Sequence, residues 1–534
     1  MASCRGLSNS FLPRPGFANI GKTEPVRLVP ISSTRKQKRD TNASAGGVTP
    51  TTMSGWPRQD FPEKFTTEYE QKREEIRQVL QLKGDDDGSE SLVLVDAIQR
   101  VGLSSYYEQE IDTILRKHYV ASCSCMYGYH NLHDVSLFFR LLRQHGHCIS
   151  ADVFNNFKGE DGRYSRNLRQ DIIGLVELYE AAQLSFQGED ILDEAASFSS
   201  QLLRECLADV DDDLSRMITG KLKYPYHKTI ARLTRKDFLQ DFEAIKGWRK
   251  TLKELALMDL RKGQSVYQGE LAQVSTWWNE LGLAKTLKLV RNQPLKWYTW
   301  SMSILIDDFS LWDYAAIDTL PDYMKMCYQT LLDTTNGMGH DIYKRHGYDP
   351  IDSLKLSWGS LCNAYLVEAK WFASRNLPTA AEYLENGKVT TGAYVVLVHL
   401  FFLLGLGNGG GIPLTDVSQL VSSVATILRL WDDLGSAQDE HQYGRDGSYI
   451  ECYRKDHRGL SMAQARDHVI DTIASEWKNL NKECFCLKHF PASYFKRAAL
   501  NSARIVPLMY GYDEKQRLPV LEKHVKFILF NQTN

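Results

Sequence analysis

The stretch Arg429-Leu-Trp-Asp432-Asp433-Leu-Gly-Ser436-Ala-Gln-Asp-Glu440 places Asp432, Ser436 and Glu440 at i, i+4 and i+8. On a helix these positions drift about 40° and rise about 6 Å per step, so three oxygen donors share one face. Arg429 stands nearly one turn earlier on the same side. Hard oxygen ligands in such a row suit Mg²⁺, or Mn²⁺ in its place, with phosphate completing the shell. Arg429 can add charge-assisted hydrogen bonds to that phosphate. Taken on spacing alone, a solvated helix face is the competing account, because Asp and Glu are ordinary on exposed helices.

The surrounding chain supports the helical premise. From Phe61 onward, Glu68–Leu82, Leu92–Val101, Asp134–Gln144, Gln170–Leu184, Ile191–Leu207 and Phe238–Leu260 repeat apolar residues at i, i+3 and i+4, and strictly alternating β-branched runs are rare. The expected class is all-α with two helical domains, residues 60–240 and 250–534. The boundary is expected near 220–255, where Gly220-Lys-Leu-Lys-Tyr-Pro-Tyr-His interrupts the periodicity. With 534 residues the chain can build more than one core. The most apolar run, Tyr394 to Leu406, contains His399 and is too short to span a bilayer, so it predicts a buried helix.

A net charge of −2 argues against a general nucleic-acid surface. The ten cysteines include CxC spacings at Cys123/Cys125 and Cys484/Cys486 but no CxxC pair, which reads as reduced thiols, not a zinc site or disulfide framework. Up to Pro50 there are eight basic residues (Arg5, Arg14, Lys22, Arg27, Arg35, Lys36, Lys38 and Arg39) against Glu24 and Asp40 alone. That is the composition of a disordered plastid transit peptide over residues 1–52, with Met53 as an alternative start leaving a cytosolic product.

Three other motifs carry less. Asp209-Val-Asp211-Asp212 fits the DxDD pattern of alkene-protonating cyclases, but its setting predicts a helix-to-helix loop. Gly405-Leu-Gly-Asn-Gly-Gly410 fits GxGxxG by letter without a preceding strand, so a helix C-cap is the better account. Trp277, Trp278, Trp297, Tyr298, Trp300, Trp358, Tyr365 and Trp371 are expected to be mostly core, with some able to face a carbocation.

Longer phrases carry a family resemblance. His133-Asp-Val-Ser-Leu-Phe-Phe-Arg140-Leu-Leu-Arg-Gln-His-Gly146, Ile191-Leu-Asp-Glu-Ala195, Trp312-Asp-Tyr-Ala-Ala-Ile-Asp-Thr-Leu-Pro-Asp-Tyr-Met-Lys325 and Ala364-Tyr-Leu-Val-Glu-Ala-Lys-Trp371 resemble plant terpene synthases from about residue 60 onward. Arg429, Asp432, Ser436 and Glu440 match that family's second metal motif, (N/D)Dxx(S/T)xxxE, and its preceding arginine. The resemblance implies a relict N-terminal α-barrel and a C-terminal class I terpenoid synthase α-bundle. It implies Mg²⁺-dependent ionisation of a prenyl diphosphate by a monomer with no membrane span. Arg291 and Arg429 would bind the diphosphate, and Asp432, Ser436 and Glu440 the metal.

Two departures point within the family. No Arg-Arg pair occurs, and the RxR element reads Arg291-Asn-Gln293. Both resemble the branch forming acyclic tertiary alcohols: linalool from geranyl diphosphate, nerolidol from farnesyl diphosphate. A cyclising mono- or sesquiterpene synthase is the alternative enzyme.

A third departure is more severe. The family's DDxxD is absent. From Asp307 the motif needs an acid where Leu311 stands, and from Asp308 one where Trp312 stands. Only 16 residues separate Asn292 from Asp308, about 24 Å even if wholly helical. One deletion at 311/312 accounts for the alignment, whereas retaining Asp307-Asp308 as the metal pair requires two. The expectation is loss of the aspartate-rich helix, as in a splice-type isoform with impaired or absent catalysis.

Overall fold

The computed structural model describes residues 61–84, 89–123, 131–231, 234–235, 238–239, 247–281, 322–374, 377–407, 413–442, 448–486, 493–511 and 518–530. Arg291, Gln293, Asp307, Asp308 and the 311/312 junction, like the transit-like stretch 1–52, lie outside them. The described residues are helical and contain no strand, only one isolated bridge between Lys158 and Tyr164. The all-α expectation holds.

The first group of helices is α1 (Glu63–Gly84), α2 (Ser89–Arg100), α3 (Glu108–Cys123), α4 (Leu132–Gln144), α5 (Ile172–Ala182), α6 (Asp190–Cys206) and α7 (Asp212–Lys223). The long α8 (Gly247–Leu281) packs on α1. Their apolar faces form one core from Tyr69 to Met258. Helix α7 continues past Gly220 to Lys223, so the expected break begins four residues later, at Tyr224-Pro225. Gly220 costs helix propensity without ending the helix, and the proline does end it. Asp211 caps α7 by accepting the Leu214 N–H at 2.8 Å, so the DxDD letters span the expected loop and, at Asp212, the first residue of α7.

Two arginines of the phrase at 133–146 are anchors of this core. Arg140, fully buried, pairs with Asp96 at 2.7 Å and Glu177 at 3.1 Å. Arg143 grips both oxygens of Glu189 at 2.5 and 2.8 Å. Burial alone would raise the Asp96 carboxyl, but Arg100 and Arg140 outweigh it and hold the carboxyl well below its ordinary range.

The second group comprises α9 (Asp322–His346), α10 (Ile351–Ser374), α11 (Ala380–Thr390), α12 (Ala393–Leu403), α13 (Ser418–Gln442), α14 (Tyr449–Asp456), α15 (Met462–Cys486), α16 (Ser493–Tyr510) and α17 (Pro519–Phe530). Helix α13 is central, packed by α11, α12, α15 and α16. From Leu420 to Leu430 it is buried nearly all round, with Leu420, Val421, Val424, Ile427 and Leu428 in the core. At Gly435 the α16 backbone comes so close that a Cβ would sit 2.6 Å from the Tyr510 carbonyl oxygen.

Helix α12 is the buried helix expected from the Tyr394–Leu406 run. It ends in a left-handed Gly405 (φ +73°) whose N–H bonds to the Phe402 carbonyl at 2.9 Å, the C-cap foreseen for the glycine run. No described helix is long and apolar enough to cross a membrane.

Where the two groups meet, Asn481 of α15 is buried. Its amide donates to the Gln183 and Ser185 carbonyls, both at 3.1 Å, and its oxygen meets His227 Nε2 at 2.7 Å. Arg504 of α16 donates to the His227 carbonyl at 2.7 Å.

Candidate metal and diphosphate site

Three elements build the site. Helix α11 starts at a capping box in which Thr379 Oγ accepts the Glu382 N–H at 3.2 Å and Glu382 accepts the Thr379 N–H at 2.9 Å. That fixes Tyr383 and Gly387 against α13. Gly387 lacks a side chain where Arg429 passes, since a Cβ there would lie 2.6 Å from Arg429 Cδ. Arg429 thus crosses the α11 face with its stem buried and its guanidinium ion-paired to Asp432 and, at 3.1 Å, to Asp433. Burial disfavours its charge, but Asp433, Tyr383 and Asp432 outweigh that and keep it protonated.

The two aspartates have different surroundings. Asp433 is 1% exposed and accepts from Tyr383 OH at 3.1 Å and from the Tyr449 N–H, at the start of α14, at 2.8 Å. It is a strut joining α11, α13 and α14. The Asp432 side chain is 29% exposed and pairs with Arg429. Sequence spacing picked Asp432, which is the more exposed of the two, and gave Asp433, Tyr383 and Gly387 no role. Their functions depend on a contact 50 residues away along the chain.

Ser436 and Glu440 lie on the same continuous helix, which extends to Gln442, and their side chains are outside the description. The i, i+4, i+8 alignment of the backbone therefore exists as expected, on a helix anchored through Arg429 and Asp433. No group of three metal-binding side chains occurs among the described residues. The donors available on this face are nonetheless all oxygens, carboxylate, hydroxyl and carboxylate, a set that fits Mg²⁺.

Helix α10 supplies a further wall. Tyr365 OH donates to the Thr390 carbonyl at 3.0 Å, and Thr390 Oγ donates to Glu368 at 2.7 Å. Burial, then the charge of Glu368, pushes the Tyr365 phenol up, and Arg429 and Asp432 also act on it. Two turns earlier on α10, Trp358 donates its indole N–H to Thr335 Oγ at 3.0 Å and His399 Nε2 at 3.2 Å. His399 Nδ1 meets the Val395 carbonyl at 2.7 Å, which fixes a neutral tautomer. Trp358, half-buried, is therefore pinned by Thr335 and His399, whereas Trp297, Tyr298 and Trp300 lie outside the described residues.

Known proteins resemble this arrangement along most of the chain. Residues 50–222 match the terpene synthase N-terminal domain, and residues 302–479 the metal binding domain of the terpene synthase family. A chloroplastic tricyclene synthase of Antirrhinum majus is 54% identical over 504 residues, covering 86% of this chain and 87% of that one. An (E)-nerolidol synthase of Cannabis sativa is 42% identical over 499 residues, covering 84% and 90%. The crystal structure of grey poplar isoprene synthase with three Mg²⁺ ions and dimethylallyl-S-thiolodiphosphate superposes with a TM-score of 0.79. It is 26% identical, over 88% of this chain and 98% of that one. Relatives this similar over so much of the sequence, with both domains matched in order, place the chain in the terpene synthase family.

Proposed function

We propose that this chain binds the diphosphate of a linear prenyl substrate through Mg²⁺ on Asp432, Ser436 and Glu440, and ionises it far more slowly than a full-length relative. The observation that carries the proposal is a continuous helix bearing Asp432, Ser436 and Glu440 in a sequence with no DDxxD to oppose it. The alignment lengths support an internal loss. The tricyclene synthase match extends over 504 positions but covers 86% of this chain, about 459 residues. The remaining 45 or so positions would accommodate a helix of roughly 40 Å, about 27 residues, with its flanking turns. A splice-type isoform or a misplaced exon boundary would produce such a chain.

The chain's own residues suit the retained half of the task. Arg429, held charged by Asp433, and Arg291 would bind the departing diphosphate with charge-assisted hydrogen bonds. When bound, Mg²⁺ supplies Lewis-acid stabilisation of charge developing on the leaving group. Gln293, where the family has the second arginine, weakens retention of the diphosphate. Water capture then competes with isomerisation and gives linalool or nerolidol. The nerolidol synthase relative favours this outcome. The tricyclene synthase relative favours a second reading, cyclisation. The basic leader and that relative's chloroplastic name favour a plastid and the shorter, geranyl substrate.

The test incubates purified chain with geranyl or farnesyl diphosphate and Mg²⁺, followed by gas chromatography. Turnover at least ~100-fold below a full-length relative, the loss typical of removing a transition-state charge stabiliser, with acyclic alcohol as product, supports the proposal. Ring products would favour the second reading, and rates like the relative's would overturn the impairment.

A further inference from the structure

A solvent-reaching cavity of about 320 Å³ lies where the N-terminal helices meet α15. Its walls carry two thiols from opposite sides. Cys148 belongs to the loop after α4 and is exposed, and Cys486 is the last residue of α15 and is half-buried. The remaining lining is largely apolar, with Phe186 and Phe485, together with His147 and Arg143.

The walls are close together and held there. Gly146 turns in the left-handed region (φ +79°), and a Cβ at that position would be 3.5 Å from the Phe485 carbonyl oxygen. The chain segments bearing the two cysteines therefore approach within about one methyl group of each other, two residues before Cys148 and one residue before Cys486. Beneath the cavity, Asn481 bonds to the Gln183 and Ser185 carbonyls, and Lys478 pairs with Asp193 at 2.7 Å. Arg143 is fixed by Glu189 and by the Ile149 carbonyl at 2.7 Å, and presents a positive charge to the thiols. His147 stacks on Tyr119 with ring centroids 4.7 Å apart, and its Nε2 has no hydrogen-bond partner among the described residues. Burial and then Cys148 push the Cys486 thiol up, with Arg143 acting against them, so the exposed Cys148 is the thiol that meets an incoming disulfide first.

We infer that Cys148 and Cys486 form a modification site, a reversible disulfide made by thiol–disulfide exchange with a low-molecular-weight disulfide. The Cys148 thiolate attacks one sulfur of oxidised glutathione, forming a mixed disulfide and expelling one glutathione thiolate. The Cys486 thiolate then attacks Cys148 Sγ and expels the second. Two protein thiols are oxidised, one small disulfide is reduced to two thiols, and the protons from the cysteines pass to the leaving groups. The bond joins positions 338 residues apart and ties the loop after α4 to the end of α15. This inference is independent of the substrate and of the missing motif.

The experiment treats full-length protein with oxidised glutathione, alkylates remaining thiols, digests without reduction and maps peptides by mass spectrometry. Wild type should yield a Cys148–Cys486 linked peptide that dithiothreitol abolishes, together with a raised thermal midpoint. C486S should instead accumulate glutathione on Cys148, and C148S should give no linked peptide. Wild type carrying glutathione on Cys148 to the same extent as C486S, with no linked peptide, would overturn the inference. So would a linked peptide found only between chains when ¹⁵N-labelled and unlabelled protein are mixed. The wild-type map decides the question even if a variant folds poorly.

Discussion

Neighbouring aspartates on α13 should respond to substitution in opposite ways. Asp433→Ala removes the buried counter-charge of Arg429 and the acceptor of both the Tyr383 hydroxyl and the Tyr449 N–H. Breaking a buried charge pair from one side costs about 3–5 kcal/mol. At about 2–4 °C per kcal/mol for a region of this size, an expected loss near 4 kcal/mol lowers the melting temperature by about 8–16 °C. Asp432→Asn removes a partly exposed partner, which costs about 1 kcal/mol or less. Its effect should fall on Mg²⁺-dependent binding of a prenyl diphosphate analogue. Far-UV circular dichroism melts and analogue titrations on both variants separate the two roles. Equal destabilisation by the two variants, or a silent Asp433→Ala, would refute the assignment of strut and ligand.

Other consequences follow from the same packing. Gly387→Ala puts a methyl into the Arg429 stem, and displacing it should cost about 1–3 kcal/mol and weaken analogue binding, measured by melting and titration. Asn481→Ala leaves His227 and the Gln183 and Ser185 carbonyls without their partner. The cost should be about 2–3 kcal/mol, and limited proteolysis should show cleavage near 224–231 rising with it. His399 is pushed down to about 4 by burial, against about 6.5 in the unfolded chain. Its neutral form is the native one, so between pH 6.5 and 4 the unfolded state holds more protons and stability falls as pH falls. The slope is about 1.4 kcal/mol per pH unit, and His399→Gln should flatten this part of a melting-temperature profile.

Helix periodicity made the architecture legible, and the spacing of Asp432, Ser436 and Glu440 marked one face of a helix that exists. Periodicity also handled the Tyr394–Leu406 run, because His399 is satisfied by Val395 four residues back on its own helix. What local pattern could not show was long-range. Tyr383 and Asp433 meet across two helices, and Gly387 is needed only because Arg429 crosses it. Gly220 misled for the converse reason, since α7 tolerates a glycine and ends only where Pro225 forces it to. The roles of Arg140 and Arg143 were equally hidden, because their carboxylate partners lie 37 to 46 residues away.

We propose that this chain keeps one metal face where its family has two. Mg²⁺ stoichiometry, measured by equilibrium dialysis with saturating inorganic diphosphate, distinguishes the two arrangements. The account predicts one ion per chain, lost in Glu440→Gln. Three ions, as in the isoprene synthase complex, would contradict it.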